Sequence, residues 1–529
     1  MDRRHFLRAS LALPGALAGG CHRPGARPPL IRLTPGMAEG HALRTPQAWP
    51  APQGVTHTGV LILGSGIAGL SAAWTLAQAG ERDFLLIDGP EPNGNAASGR
   101  WDSPSGPVPH PRGAHYLPLI SQESTEVRSL LHALGVIEAK PQDERPHYAE
   151  RALVHSPEER ILLGQEWDEG LLPEGAEHPA FAAFFAQMAV FRDARGSDGR
   201  RAFCIPRARA SSDARWRQLD QHSFSHWLAQ EGHHDPRLLA YLDYICRDEY
   251  GAASQTVSAW AGIHYFASRN GQAANASPGS MLTWPEGLDA LAQGMRQGIP
   301  APCQQRGWAL RIQPQHRGAE VLIHDGSHTR LIRARRVICA LPLRVAARLL
   351  EHPAEHGLDP ACIPAQAPWL VSSFRLEGFP AETLPGPGLA WDNVIHASPG
   401  LGWVVATHQW IRQARPAHTV FTAYHALPGD PARQRAWLQQ ASPADLLDLA
   451  GQELFAIYGR EALLARCPSI ECTLRGHGMP IPTPGSLDHP GLRTAAEADG
   501  PIRFAHTDLS AYSVFEEAVW WGVRSLRGL

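Results

Sequence analysis

The chain has 529 residues, 43% hydrophobic and 19% charged, with a formal net charge of −3. That length leaves room for two to four domains and a large core, and the near-neutral balance excludes a basic nucleic-acid-binding protein and an acidic tail. Lys140 is the only lysine, so arginine carries almost all of the positive charge.

Positions 1–21 form a processing segment that stands apart from the fold. Asp2-Arg3-Arg4-His5-Phe6-Leu7-Arg8 carries the pattern R-R-x-F-L and resembles a twin-arginine export signal. The apolar residues 11–18 that follow fall short of the roughly 20 residues needed to span a bilayer. Leu17-Ala18-Gly19-Gly20-Cys21 resembles a lipoprotein cleavage box with Cys21 as the acylated residue. These resemblances imply a protein exported already folded, in the periplasm, whose membrane contact is a lipid anchor at Cys21. Residues 22–54, rich in proline, read as a tether. The other seven cysteines show no metal-ligand spacing, and no metal is expected. Cys467 and Cys472 are either a disulfide of an oxidising compartment or buried thiols.

Val60-Leu61-Ile62-Leu63 is a continuous apolar run, the pattern of a strand buried on both faces of a parallel sheet. It leads into Gly64-Ser65-Gly66-Ile67-Ala68-Gly69, then a helical pattern ending at Gly80, then the apolar run Phe84-Leu85-Leu86-Ile87 and Asp88. Gly64 permits the tight turn, Gly66 lets the backbone approach a pyrophosphate, and Gly69 lets the helix pack on the strand. The helix start at Ile67 and Ala68 offers free N–H groups to phosphate. Asp88, closing the second apolar run, is placed to accept from ribose hydroxyls. The spacing predicts a dinucleotide site.

Further along stand Asn93 to Arg100 (N-G-N-A-A-S-G-R) and Arg112-Gly113-Ala114-His115-Tyr116-Leu117-Pro118. Helical patterns follow at residues 126–134 and 237–245. Leu282-Thr283-Trp284-Pro285-Glu286-Gly287 precedes another helix, and Trp308-Ala309-Leu310-Arg311-Ile312 and Arg336-Val337-Ile338-Cys339-Ala340-Leu341-Pro342 read as strands. Strand-like runs recur at residues 370–376, 402–407 and 420–424. Near the end, Arg503 to Gly522 (R-F-A-H-T-D-L-S-A-Y-S-V-F-E-E-A-V-W-W-G) reads as a strand, an acidic turn at Asp508 and an amphipathic helix.

Taken in order, these segments resemble the flavin amine oxidase superfamily. The fold that the resemblance implies is α/β: a Rossmann-like FAD-binding domain of the glutathione-reductase and amine-oxidase type, interleaved with an α+β substrate domain. The FAD domain would be residues 55–125, 280–345 and 465–529, and the substrate domain residues 126–279 and 346–464. In that family the segment after the ribose acid carries a double glycine and an arginine; here Gly94-Asn95 and Arg100 stand there. The segment at Gly113, Ala114 and His115 lines the flavin, and the backbone at Ala309 meets the adenine. The C-terminal acid, Asp508, holds the ribitol, and the helix after Val514 points its N-terminus at the flavin ring, where reduction gathers negative charge. His506-Thr507 replaces the family's glycine.

The resemblance implies hydride transfer to flavin N5 from an amine, a polyamine included. Trp391-Asp392-Asn393-Val394, residues 401–409 and Arg475-Gly476-His477-Gly478-Met479-Pro480 resemble bacterial amine and polyamine dehydrogenases. Asp243, Asp248, Glu249 and Asp392 are candidate acids for distal ammonium groups, set among Tyr244, Tyr250, Trp260, Tyr265 and Trp391. His115, His477 and Tyr116 are the candidate catalytic residues, and His408 and His506 are further histidines that could face the flavin. Residues 343–368 contain no lysine, where many family oxidases keep one near N5, and this favours a quinone or cytochrome over oxygen as electron acceptor. Covalent flavin is not expected, because the cysteine nearest before the C-terminal motif is Cys472, far ahead of Asp508. Two other readings are a desaturase or isomerase acting on an apolar substrate, which predicts a tunnel without acids, and a non-catalytic flavoprotein, which predicts a blocked flavin face.

Overall fold

The computed structural model describes residues 28–44, 49–172 and 178–528, so the expected export and acylation signals of residues 1–21 lie outside the described residues. Among the described residues no helix is long and apolar enough to cross a membrane.

Strand Val55–Leu63 lies between two parallel neighbours, Phe84–Ile87 and Thr329–Cys339. Val60 and Ile62 enter one hydrophobic cluster, Leu61 and Leu63 another. The strand is therefore a wall between two cores, which is why its apolar run shows no alternation. The sheet runs in the order Gln304–Gln305, Phe84–Ile87, Val55–Leu63, Thr329–Cys339, Gly318–His324 and Trp308–Gln315, and Ile502–Phe504 pairs with the end of Thr329–Cys339. Helix Ile67–Gln78 meets helix Phe515–Arg524 at small residues: a Cβ on Gly522 would lie 2.2 Å from the Ala68 carbonyl oxygen. Only glycine allows that approach, and it joins the first nucleotide motif to the end of the chain.

The second sheet has eight strands, in the order Leu30–Leu33, Ser469–Pro480, Gln366–Glu377, His418–Ala426, Trp403–Val405, Asp392–Ile395, Glu159–Leu163 and Glu166–Glu169. Helices Pro236–Tyr250 and Ala259–Ser268 contribute to the hydrophobic cluster that takes in Trp369, Val371, Val404 and Tyr424 of this sheet. Helices Pro431–Gln440 and Pro443–Tyr458 belong to another cluster with Leu370, Phe374 and Phe421. Alternate residues of strand Gln366–Glu377 thus go to opposite faces, each covered by helices.

Three boundaries differ from expectation. Residues 28–44 are no tether: Leu30–Leu33 pairs in parallel with Ser469–Pro480, and a short helix, Met37–Ala42, follows. Proline content alone could not show this, because the strand's partner comes from near the opposite end of the chain. Residues 126–153 pack with the first sheet's domain, since Val127, Leu130, Ile137, Tyr148 and Leu153 share the core cluster of Ile62 and Leu70. Residues 469–480, assigned above to the FAD domain, form a strand of the second sheet. The seven described cysteines are free, Cys467 and Cys472 among them.

Candidate active site

A cleft of about 550 Å³ runs along the C-terminal end of Val55–Leu63. Gly64, Gly66, Ile67, Ala68, Asp88, Ala114, Ala309 and Val514 line it. Gly64 has φ +94°, and a Cβ on Gly69 would sit 1.8 Å from the Gly64 carbonyl oxygen, so turn and helix interlock. A Cβ on Gly66 would meet nothing within 4 Å and would point into open space. The acid at the strand end meets an arginine: Arg296 reaches Asp88 at 2.5 Å, Ser65 Oγ at 2.7 Å and Asn93 Oδ1 at 2.6 Å.

Besides Gly69, which packs under the turn, four expected cofactor residues do not line the cleft: Arg100, Gly113, His115 and Asp508. Arg100 is 66% exposed and pairs with Asp102 on the hairpin strand Ser98–Ser103, which carries it outward. Arg475 occupies the cleft instead, donating to Glu91 at 2.9 and 3.0 Å and to the Arg112 carbonyl at 2.9 Å. Gly113 serves packing: its Cβ would lie 2.2 Å from the Asn95 oxygen, and its carbonyl accepts from Tyr424 Oη at 3.0 Å. Asp508 is fully buried, and its two oxygens accept from the Leu343 N–H and Gln366 Nε2, each at 2.9 Å. The first turn of helix Leu343–Leu349 has free N–H groups, and one of them captures the carboxylate. Burial alone would raise the Asp508 carboxyl, but His506 and these donors hold it below the usual carboxylate range. His506 and Thr507 line the cleft in its place. His506 caps the turn, its Nδ1 accepting from the Asp508 N–H.

These residues fit a dinucleotide. The glycine turn opens onto the cleft, an acid stands at the strand end, and Arg344 and Arg475 line the walls. The buried Nε of Arg344 has no hydrogen-bond partner among the described residues. No described cysteine lines the cleft, and Cys472 is buried in the second sheet beside Ser372.

Beyond Ala114 the chain leaves the cleft, and the next residue, His115, lines a second cavity of about 900 Å³. Tyr116, Trp391 and Tyr424 line it too, with His115 stacked on Tyr424 at 4.4 Å between ring centroids. Burial lowers His115 to about 4, so its imidazole is neutral at ordinary pH, and burial keeps Tyr116 protonated. His477, expected beside them, lines the cofactor cleft, where burial and Arg435 lower it to about 4. His408 bonds the His155 carbonyl at 2.7 Å and ties two loops together.

Of the four expected acids, two are occupied. Asp243 accepts from the N–H and hydroxyl of Ser254 and pairs with Arg247, and Glu249 pairs with Arg269 at 2.8 Å. Asp248, Asp392 and Glu159 line the cavity and form no ion pair with a described residue; Arg269, which lines it too, is paired with Glu249. Strand Asp392–Ile395 pairs in parallel with Glu159–Leu163, and Asp392 stands directly opposite Glu159. Like charges so placed oppose each other. Burial, then Glu159 and Asp248, raise the Asp392 carboxyl well above its ordinary value. Burial chiefly lifts Asp248 and Glu159 to about 7. Glu159 had no signal in the sequence, since only strand register brings it to Asp392.

In the unfolded chain these carboxyls return to about 4, so the folded state holds more protons between pH 4 and 7, and their ionisation destabilises it as pH rises through that window. Asp248→Asn should melt level with wild type near pH 4 and about 2 °C higher at pH 8. A variant melting below wild type at pH 8 would show that Asp248 is paired rather than repelled.

A family described as an NAD(P)-binding Rossmann-like domain matches residues 62–134. No curated protein sequence matches the chain. Among solved structures, wild-type putrescine oxidase bound to putrescine superposes with TM-score 0.60 at 14% identity, covering 89% of this chain and 98% of that one. Cyclohexylamine oxidase from Brevibacterium oxydans IH-35A gives TM-score 0.60 at 16% identity over 88% and 97%. A fatty acid isomerase from P. acnes gives 0.56 at 14% identity over 88% and 97%. Over nearly its whole length, the chain has the FAD-dependent oxidase fold: a Rossmann-like dinucleotide-binding domain joined to a second, α+β domain.

Proposed function

We propose that the protein is an FAD-dependent oxidoreductase that oxidises the C–N bond of a diamine or polyamine. The observation that carries this reading is the set of carboxylates Asp248, Asp392 and Glu159, which form no ion pair with a described residue, in a cavity that adjoins the cleft and whose lining arginine, Arg269, is taken by Glu249. A buried carboxylate cluster is costly unless cations join it, and a substrate with distal ammonium groups supplies them. Trp391 and Tyr244 give its methylene chain apolar walls and the cations aromatic faces. Bound FAD, held without a covalent bond by residues 64–69, Asp88, Ala309, Arg475 and Val514, would supply the hydride acceptor. The reacting nitrogen must be neutral when hydride leaves, and the neutral imidazole of His115 is a proton acceptor in the wall beside the cleft; Tyr116, kept protonated, is a donor only.

Similarity to putrescine and cyclohexylamine oxidases supports the amine class. An apolar substrate finds no support in an acid-lined cavity. A non-catalytic role is disfavoured because consecutive residues, Ala114 and His115, line the cleft and the cavity. We place the protein in the periplasm, anchored through Cys21, on the pattern of residues 1–21.

Anaerobic mixing with a panel of mono-, di- and polyamines tests the reading. Bleaching of the flavin by diamines or polyamines, faster than by monoamines, is expected; bleaching by none of them would overturn it. The reduced enzyme should reoxidise slowly in air and quickly with a quinone or cytochrome c, since no lysine stands in residues 343–368. Fast reoxidation in a stopped-flow trace would make it an oxidase.

A further inference from the structure

Residues 30–44 reach across the cofactor cleft from one domain to the other. On one side, Leu30–Leu33 adds an edge strand to the second sheet. Arg32 donates to the carbonyls of Leu438, Gln439 and Ala441, at 3.1, 2.7 and 3.2 Å. These oxygens end helix Pro431–Gln440, where a guanidinium satisfies orphan acceptors and meets the negative end of the helix dipole. On the other side, a Cβ on Gly36 would lie 3.6 Å from Pro90 Cβ, and Leu43 packs against the Rossmann cluster of Leu63, Ile87 and Ala309. Between these anchors, Thr34, Met37, His41 and Arg44 line the same cleft as Gly64 and Val514.

Cations outnumber acids in this cleft: Arg44, Arg344, Arg348, Arg435 and Arg475 line it against Glu39, Asp88 and Glu91, and Asp88 and Glu91 are already paired with Arg296 and Arg475. Arg44 and Arg344 form no ion pair with a described residue, and Arg435 donates only to the Gln366 carbonyl. Burial, then Arg44 and Arg348, lower His41. Seating the segment therefore brings Arg44 toward like charges on the opposite wall. An anion between them turns that repulsion into attraction, and a dinucleotide carries two phosphates.

We propose that residues 30–44 form a latch on the cofactor, anchored by Arg32 and Leu30–Leu33 and closed over the bound dinucleotide by Arg44. Its first effect is on retention: a seated latch blocks the way out, and an anion in the cleft favours the seated state. By reciprocity, whatever unseats the latch weakens cofactor binding.

The proposal rests on the reading that the cleft holds FAD, and two full-length holoenzyme variants test it by the fluorescence rise of released flavin after dilution. Arg32→Ala loses the three helix-end bonds and should release FAD about tenfold faster than wild type. A Gly36→Cys, Pro90→Cys pair lies within disulfide reach. When oxidised it should release FAD about tenfold more slowly than when reduced, with wild type indifferent to the same oxidant. Equal release from the oxidised and reduced pair would overturn the latch, and a pair that cannot be oxidised would show that the segment does not seat on Pro90. A wild-type protein that neither carries nor takes up FAD would overturn the cofactor reading itself, so the two failures are distinct.

Discussion

Gly66→Val is expected to give a folded protein without flavin. A Cβ at this position meets no protein atom within 4 Å, and the backbone of residue 66 is extended, with φ −63° and ψ 175°, a conformation open to valine. The added side chain fills space where the turn has to approach a pyrophosphate. Affinity for FAD should fall by about 100-fold or more, a loss near 3 kcal/mol, while the melting temperature of the cofactor-free protein stays within about 1 °C of wild-type apoprotein. Gly69→Ala should behave differently. Its Cβ would stand 1.8 Å from the Gly64 carbonyl oxygen, a backbone clash that moves turn and helix apart. Loss of about 3 kcal/mol or more of stability is expected together with loss of FAD. Flavin absorbance after gel filtration and thermal melts of both apoproteins separate the two effects. A Gly66→Val protein that keeps its flavin would remove the phosphate from this turn.

Asp392→Asn is expected to lower kcat/KM for a diamine by about 100-fold, the loss that follows when a buried charge-assisted contact to an ammonium disappears. The same variant should lose less than about tenfold toward a monoamine, which leaves the distal carboxylates unused. FAD content should not change, because Asp392 lines the cavity and not the cleft. Asp248→Asn should act in the same direction. The two losses should not add: neutralising either acid removes a repulsion that keeps the other protonated, so the remaining one ionises more readily. A plot of kcat/KM for the diamine against pH should rise through pH 7 in the wild type as Asp248 and Glu159 ionise. Equal losses toward mono- and diamines would assign Asp392 to the scaffold.

The nucleotide half of the site was legible in residues 60–88. Strand, glycine turn, helix and terminal acid are contiguous there, and each reports a backbone requirement that a short sequence can display: burial on both faces, positive φ at Gly64, close approach at Gly69. The helices at residues 126–134 and 237–245 and the strands at 370–376 and 420–424 were legible for the same reason, since periods of two and 3.6 residues are local.

What the tertiary structure decided depends on partners far apart in the chain. Asp392 faces Glu159 only through the register of two strands widely separated in sequence. Arg475 replaces Arg100 because the hairpin after residue 97 turns outward, and Asp508 leaves the cleft because a helix start at Leu343 offers it an N–H. Residues 28–44, proline-rich and read as a tether, are held by a strand and helix end near residues 470 and 440. Local sequence carries the turn that can take a phosphate. Which charges surround it, and which are left without partners, follows from long-range register and packing.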